Sequence, residues 1–266
     1  MRRRDFIKAI AGSTVVRPLA AGAAQTATFI TLHPGKLTVC TYGGFAPVCY
    51  KDAAGHLVGY DVSFLTRFAG QEGREIVLIE KKFDDIWTLP GKDVCDIAGA
   101  GVMRRNDRPV GPGGSWSDPY FQVQRSLLVR AGDKVAFDNY KTLSGKNIVV
   151  TRKSTADIDA KKRYPNCTIQ YVDDVAKGAM DPQEYIVKVL IGKGLADAFG
   201  EGDVSNKYLR DIYGKDVTGG LALADVHPID GPTETFNFIT RNASYGVLDA
   251  LNVFIAVNKG SYVPRS

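Results

Sequence analysis

A chain of 266 residues with 44% hydrophobic and 24% charged side chains has the balance of an ordinary globular protein. That excludes a disordered chain, a collagen and a disulfide-dense miniprotein, and no uncharged apolar run reaches the ~18 residues of a membrane-spanning helix. Lys and Arg exceed Asp and Glu by 34 to 29, an excess that the first residues of the chain explain.

Met1-Arg2-Arg3-Arg4-Asp5-Phe6-Ile7-Lys8 is followed by an Ala- and Gly-rich, mildly apolar stretch to Ala24. A basic segment, a short apolar segment and small residues at the end make an export signal. Arg3-Arg4-Asp5-Phe6-Ile7-Lys8 resembles the twin-arginine type, an address that is read and removed. Cleavage after Ala24 would remove Arg2, Arg3, Arg4, Lys8, Arg17 and Asp5, which brings the formal charge of +5 close to neutral. The mature protein is thus expected in the periplasm, soluble and with no charge argument for nucleic acid. No Cys stands near the cleavage region, which argues against a lipid anchor.

Leu37-Thr38-Val39-Cys40 predicts the first strand and Lys51–His56 a polar hairpin turn. Asp61 precedes Val62, Phe64, Leu65 and Phe68, apolar at helical spacing, and is the candidate N-cap of that helix. Ile76–Ile79 predicts a buried strand, Phe83–Leu89 a short helix and Asp96–Ala100 another buried strand. Pro109–Gly114 is loop-like. A second cycle follows, with strands at Ser126–Val129, Asn147–Val150, Thr168–Val172 and Ala196–Phe199. Helices are expected from Ser154 toward Tyr164 and over Tyr185–Ile191. Phe236–Thr240 is a late strand and Tyr245–Asn258 a last helix. Strands alternating with helices imply an α/β protein with parallel sheets, here in two units.

Five short motifs, in order, add to this pattern. They are Phe45-Ala46-Pro47-Val48, Gly59-Tyr60-Asp61-Val62-Ser63, Cys95–Gly101, Ser117-Asp118-Pro119-Tyr120, and Gly145-Lys146 through Lys153-Ser154-Thr155-Ala156. Together they resemble the periplasmic solute-binding proteins of the polar amino-acid uptake family, bacterial extracellular solute-binding protein family 3, over roughly residues 36–262. The resemblance implies a two-lobed Venus-flytrap fold with two hinge strands. Lobe 1 would take residues 36–124 and 237–266, and lobe 2 residues 125–236. The first crossing would lie near Phe121–Val129 and the return near Thr233–Thr240. It further implies the substrate-binding component of an ABC transporter. Such a protein is a monomer that closes on a small carboxylate-bearing solute and presents it to a membrane permease, without cofactor, metal or catalysis.

The same resemblance nominates the site. Arg108 stands seven residues after Gly101, where the family places its carboxylate-binding Arg, and a guanidinium grips a carboxylate with a planar fork. From composition alone it is a solvated loop residue beside Arg104, Arg105 and Asp107. Ser154 and Thr155 lie where a strand passes into a helix, a place for an anion or for simple N-capping, and both can hold together. Lys153 replaces the family's usual Gly. Phe45 and Phe83 match aromatics that flank the ligand, and Met103 is the ligand-side residue ahead of Arg104 and Arg105. For the ligand's amino group the family's acid falls on Gly202, between Glu201 and Asp203, of which Asp203 is the expected stand-in. Tyr120 is expected in hinge packing. With Arg104, Arg105, Arg108, Arg152 and Lys153 near the cleft mouth, anionic solutes are expected over cationic ones.

Cys40, Cys49, Cys95 and Cys167 match no zinc spacing. In this fold the strands of Cys40 and Cys95 are parallel neighbours, so a Cys40–Cys95 disulfide is expected. Cys49 is the competing partner and Cys167 is expected to stay free. Two other readings stay open. Accessory binding proteins of periplasmic quinoprotein alcohol dehydrogenases carry cysteines placed like Cys40 and Cys95, and cyclohexadienyl dehydratases of this fold use cleft acids, a role Glu201 could take. His33, His56 and His227 stand apart from any Ser or Cys partner, and no phosphate loop, GxGxxG turn or HExxH pattern is present.

Overall fold

The computed structural model describes residues 29–138, 141, 143–179, 181–224 and 234–263. The expected export signal and His227 lie outside the described residues.

The first sheet is assembled from β1 (Lys36–Thr41), β5 (Glu75–Glu80), β6 (Ile97–Ala98), β7 (Gly114–Val123) and β13 (Glu234–Arg241), in the order β5-β1-β6-β13-β7. A small antiparallel sheet of β2 (Gly44–Phe45), β3 (Cys49–Lys51) and β4 (Leu57–Val58) hangs from the end of β1. The second sheet has β8 (Arg125–Arg130), β9 (Asn147–Val150), β10 (Thr168–Tyr171), β11 (Ala198–Gly202) and β12 (Leu221–Ala224), in the order β10-β9-β11-β8-β12. Both sheets are mixed: β1 is parallel to β5 and β6, and β9 to β10 and β11, while β7, β8, β12 and β13 run antiparallel to their neighbours. Helices cover parallel and antiparallel strands alike: Asp203–Tyr213 packs on β8, β11 and β12, and Val247–Asn258 on β7.

In the first lobe the helix Tyr60–Gln71 buries Val62, Phe64, Leu65, Phe68 and Ala69 against the sheet. An aromatic cluster completes this core: Phe64 meets Phe254 edge-on at 4.9 Å, and Tyr120 stacks on Phe238 at 3.9 Å. Side-chain alternation splits the core of the second lobe. Leu128, Val149 and Phe199 face Ile186, Val187 and Leu209, while Leu127, Val129, Ile148 and Val150 face Phe137, Ala160 and Tyr164.

The chain crosses from the first sheet to the second at Gln124, between β7 and β8. It returns after Ala224, the last residue of β12, and is back in the first sheet from Glu234, earlier than residue 237. Elements missed in the sequence include the full length of β7, whose Pro119 and polar residues interrupt the strand pattern, β12, a four-residue strand of small and apolar residues, and the short helices Lys134–Asp138 and Val172–Val175.

Three local expectations are corrected. Asp61 does not cap its helix: the N-cap is Gly59, and the Asp61 carboxylate is buried, taking Tyr120 Oη at 2.7 Å, Tyr262 Oη at 2.6 Å and the Gly101 amide at 2.8 Å. Phe83–Leu89 holds only the single turn Ile86–Thr88, since Asp85 is left-handed at φ 62 and breaks the segment ahead of it. The last helix begins at Val247 rather than Tyr245, after Gly246 in a left-handed conformation.

Cys40 and Cys95 are joined in a disulfide, with Cα atoms 6.0 Å apart. Cys40 lies opposite Ala98 in the β1–β6 register, so Cys95 reaches it from three residues earlier, where the chain has not yet joined the sheet. Cys49, the competing partner, is a buried free thiol whose pKa burial pushes well up, and Cys167 is also free.

Candidate functional site

The ends of the parallel strands in both lobes converge on one cavity, lined by Tyr42, Phe45, Phe83, Gly101, Met103 and Arg108 from the first lobe and Arg125, Thr151, Ser154, Thr155 and Glu201 from the second. Tyr42 follows β1, Gly101 follows β6, Thr151 follows β9 and Glu201 is near the end of β11. In open α/β sheets the crevice beyond the carboxyl ends of the strands is the usual place for a ligand.

Arg108 is buried, 3% exposed, not the solvated loop residue that composition alone suggests. Its guanidinium lies 4.9 Å from the Trp87 ring centre and 5.6 Å from that of Phe83. Nη1 donates to the Met103 carbonyl at 3.1 Å, and Nη2 crosses the cleft to the Lys153 carbonyl at 2.8 Å. Nε is buried and has no partner. Burial, followed by the nearby Arg105 charge, holds its pKa down at about 10.

Gly101 has φ +58, and a Cβ there would stand 2.6 Å from the Phe45 ring. Its absence lets Phe45 close one wall of the cavity, where the ring also packs edge-on against Phe236 at 5.9 Å. Met103 sits between the lobes: its sulfur accepts from Thr155 Oγ1 and from Arg125 Nη2, each at 3.1 Å.

Ser154 caps the helix Thr155–Arg163, its Oγ accepting from the Asp157 amide at 3.1 Å, and it lines the cavity as well. Lys153 adopts φ 56 at the position where the sequence pattern has Gly.

Asp203 is not among the lining residues. It opens the helix Asp203–Tyr213, where its carboxylate takes the Gln124 amide at 2.9 Å and pairs with Lys207 at 2.7 Å. Glu201 occupies the cavity instead, 7% exposed. Its carboxylate accepts from its neighbour's amide, Gly202 N, at 3.1 Å and lies 3.4 Å from Thr151 Oγ1. Burial raises its pKa, opposed first by Arg125 and also by Arg108. The end of β11 explains the swap: Glu201 is still in the strand and faces the cavity, whereas the chain turns into the helix at Asp203.

The expected basic rim is dispersed. Arg104 is exposed, Arg105 pairs with Asp107 at 2.8 Å, Arg152 pairs with Asp174 at 2.8 Å, and Lys153 reaches Asp84 and Asp85 at 2.9 and 2.8 Å. Sequence reasoning missed Arg125, Tyr42 and Thr151, whose signal is position: each stands at the start or just past the end of a strand that meets the cleft. Among the described residues no group of His, Cys, Asp and Glu could hold a metal ion.

Direct contacts hold the lobes together around this cavity. The Ala46 amide donates to Gln183 Oε1 at 2.7 Å, and Ser205 Oγ donates to the Ala46 carbonyl at 2.6 Å.

The family described as bacterial extracellular solute-binding proteins, family 3, matches residues 37–261. A probable histidine-binding protein of Neisseria gonorrhoeae is 25% identical over 92% of this chain and 86% of its own. An L-arginine-bound amino-acid ABC transporter substrate-binding protein from Streptococcus pneumoniae superposes with TM-score 0.71 at 21% identity, over 86% of this chain and 90% of that one. An ancestral amino-acid-binding protein described as a precursor of cyclohexadienyl dehydratase gives 0.68 at 20% identity, over 86% and 92%.

Proposed function

We propose, from the premise that this chain belongs to the bacterial extracellular solute-binding proteins of family 3, that it binds a free amino acid in the interlobe cavity and delivers it to the permease of an ABC transporter. The observation that carries this is the opposition of Arg108 and Glu201 across one buried cavity. A guanidinium with a free buried donor suits an α-carboxylate, and a buried carboxylate on the facing lobe suits an α-ammonium. Phe45 and Phe83 supply apolar walls. Ser154 and Thr155 add hydroxyls on the second lobe, and Met103 packs between them and Arg108. The names of the relatives, a probable histidine-binding protein and an arginine-bound ABC component, support the solute class.

We read the protein as a binder without covalent chemistry, acting as a monomer. The basic start of the chain supports export to the periplasm by a twin-arginine-type signal. Closure by hinge motion about the crossing at Gln124 would give the form a permease recognises.

Titration calorimetry against the twenty amino acids tests the reading. Arg108→Ala is expected to abolish measurable binding with the fold intact, a loss on the order of 2–5 kcal/mol for a desolvated charge-assisted contact. An unchanged Kd in that variant would take Arg108 out of the site.

A further inference from the structure

Arg125 is the first residue of β8, directly after the crossing at Gln124. Its side chain is 8% exposed and reaches the same cavity as Arg108, but from the second lobe. One edge of the guanidinium is engaged: Nε donates to Glu234 Oε2 at 2.5 Å. Nη2 has only the weak Met103 sulfur at 3.1 Å, and Nη1 is buried with no partner. Arg108 Nε is in the same condition. One cavity therefore holds two cationic forks from opposite lobes, each with a buried donor that lacks an acceptor.

A buried donor left without an acceptor is costly, and more so on a charged group. The arrangement calls for a solute with strong acceptors at two separated points. Glu201 is the acid among the described lining residues, and Glu234 behind Arg125 is already engaged by it. The remaining polar lining groups, Tyr42, Thr151, Ser154 and Thr155, are hydroxyls. If Arg108 and Glu201 take the two ends of an amino acid, Arg125 is left for its side chain. A cationic side chain would meet a like charge there, whereas a carboxylate would complete the fork.

We infer that Arg125 is a specificity-determining residue and that the solute is an acidic amino acid, its side-chain carboxylate held by Arg125. The inference rests on the amino-acid reading of the cavity. It separates this chain from its arginine-bound structural neighbour.

The test uses the exported protein, unfolded and refolded to remove carried-over solute, and titrates L-glutamate, L-aspartate, L-glutamine and L-arginine. An acidic amino acid is expected to bind at least about tenfold tighter than glutamine, and arginine not at all. Arg125→Lys keeps a charge against Glu234 but loses the second edge of the fork. It is expected to weaken glutamate binding more than about tenfold and glutamine binding less than about threefold. Should that variant fail to fold, Arg125→Gln with Glu234→Gln removes the buried pair together and is expected to bind glutamine as well as glutamate. Arginine or glutamine binding as tightly as glutamate in the wild type, or no loss of glutamate affinity in the folded variants, overturns the inference and leaves the amino-acid reading standing. No heat with any amino acid overturns both.

Discussion

Asp61 sits behind the site rather than in it, yet it ties together the segments that shape the cavity. Its carboxylate takes the Gly101 amide, next to Phe45, and the hydroxyls of Tyr120 on β7 and Tyr262 near the end of the described chain. Burial lifts its pKa to about 6, although all three hydrogen bonds pull the other way. An unfolded chain would release that proton near pH ~3.9. Between these values the folded state binds a proton that the unfolded state does not, so acidification from pH ~6 to ~4 favours the fold. The contribution is complete below the lower value and lost as pH rises through the upper one. Asp61→Asn removes the titration and turns an amide donor toward the Gly101 N–H, costing about 1–3 kcal/mol. The gap in melting temperature between wild type and this variant should widen from pH 7 to pH 5. A constant gap across that range would show that Asp61 keeps an ordinary pKa in the fold.

Between elements, the disulfide from Cys40 to Cys95 fastens β1 to the lead-in of β6 across a separation of 55 residues. Both strands end at cavity-lining segments, Tyr42 after β1 and Gly101 after β6. Closing a loop of this length in the unfolded chain is worth about 2–4 kcal/mol. Cys40→Ser with Cys95→Ser should lower stability in denaturant titration by that amount, with Cys49 and Cys167 still alkylated as free thiols. Peptide mapping without reductant should recover Cys40 and Cys95 together, and recovering Cys40 with Cys49 instead would reassign the bridge. The pairing could be named from the strand order of the fold, but its feasibility could not. The register alone separates the two cysteines, and only the bend before β6 brings them to 6.0 Å.

At the scale of the whole molecule, closure is held by contacts the cavity does not include. Lys153 of the second lobe reaches Asp84 and Asp85 of the first at 2.9 and 2.8 Å, on the exposed lip of the cleft. Exposed pairs of this kind are weak singly and are screened by salt. Asp84→Asn with Asp85→Asn should therefore shift the ligand-free protein toward an open form, seen as a larger radius of gyration in solution scattering. Solute affinity should fall by up to about fivefold at low salt, and the difference should vanish in about 1 M salt. An unchanged radius and an unchanged affinity at low salt would show that the clasp does not bias closure.

The α/β class, most of the strands and the order of motifs that led to the family can be read without the fold. Runs such as Ile148–Val150 and spaced apolar residues such as Phe64, Leu65 and Phe68 act locally, so their periodicity is legible without the fold. The resemblance to the family, carried by short motifs in the right order, also brought Arg108, Phe45, Phe83, Met103, Ser154 and Thr155 forward. Which acid enters the cavity follows from where β11 ends: Glu201 is a buried wall residue inside the strand, whereas Asp203, two positions on, starts a helix. Tertiary structure also turned Asp61 from a cap into a buried hub and dispersed the basic rim into separate ion pairs. Arg125 carries no signal beyond its place at a strand start: its meaning comes from the chain crossing at Gln124, which brings it from the second lobe to the same cavity as Arg108.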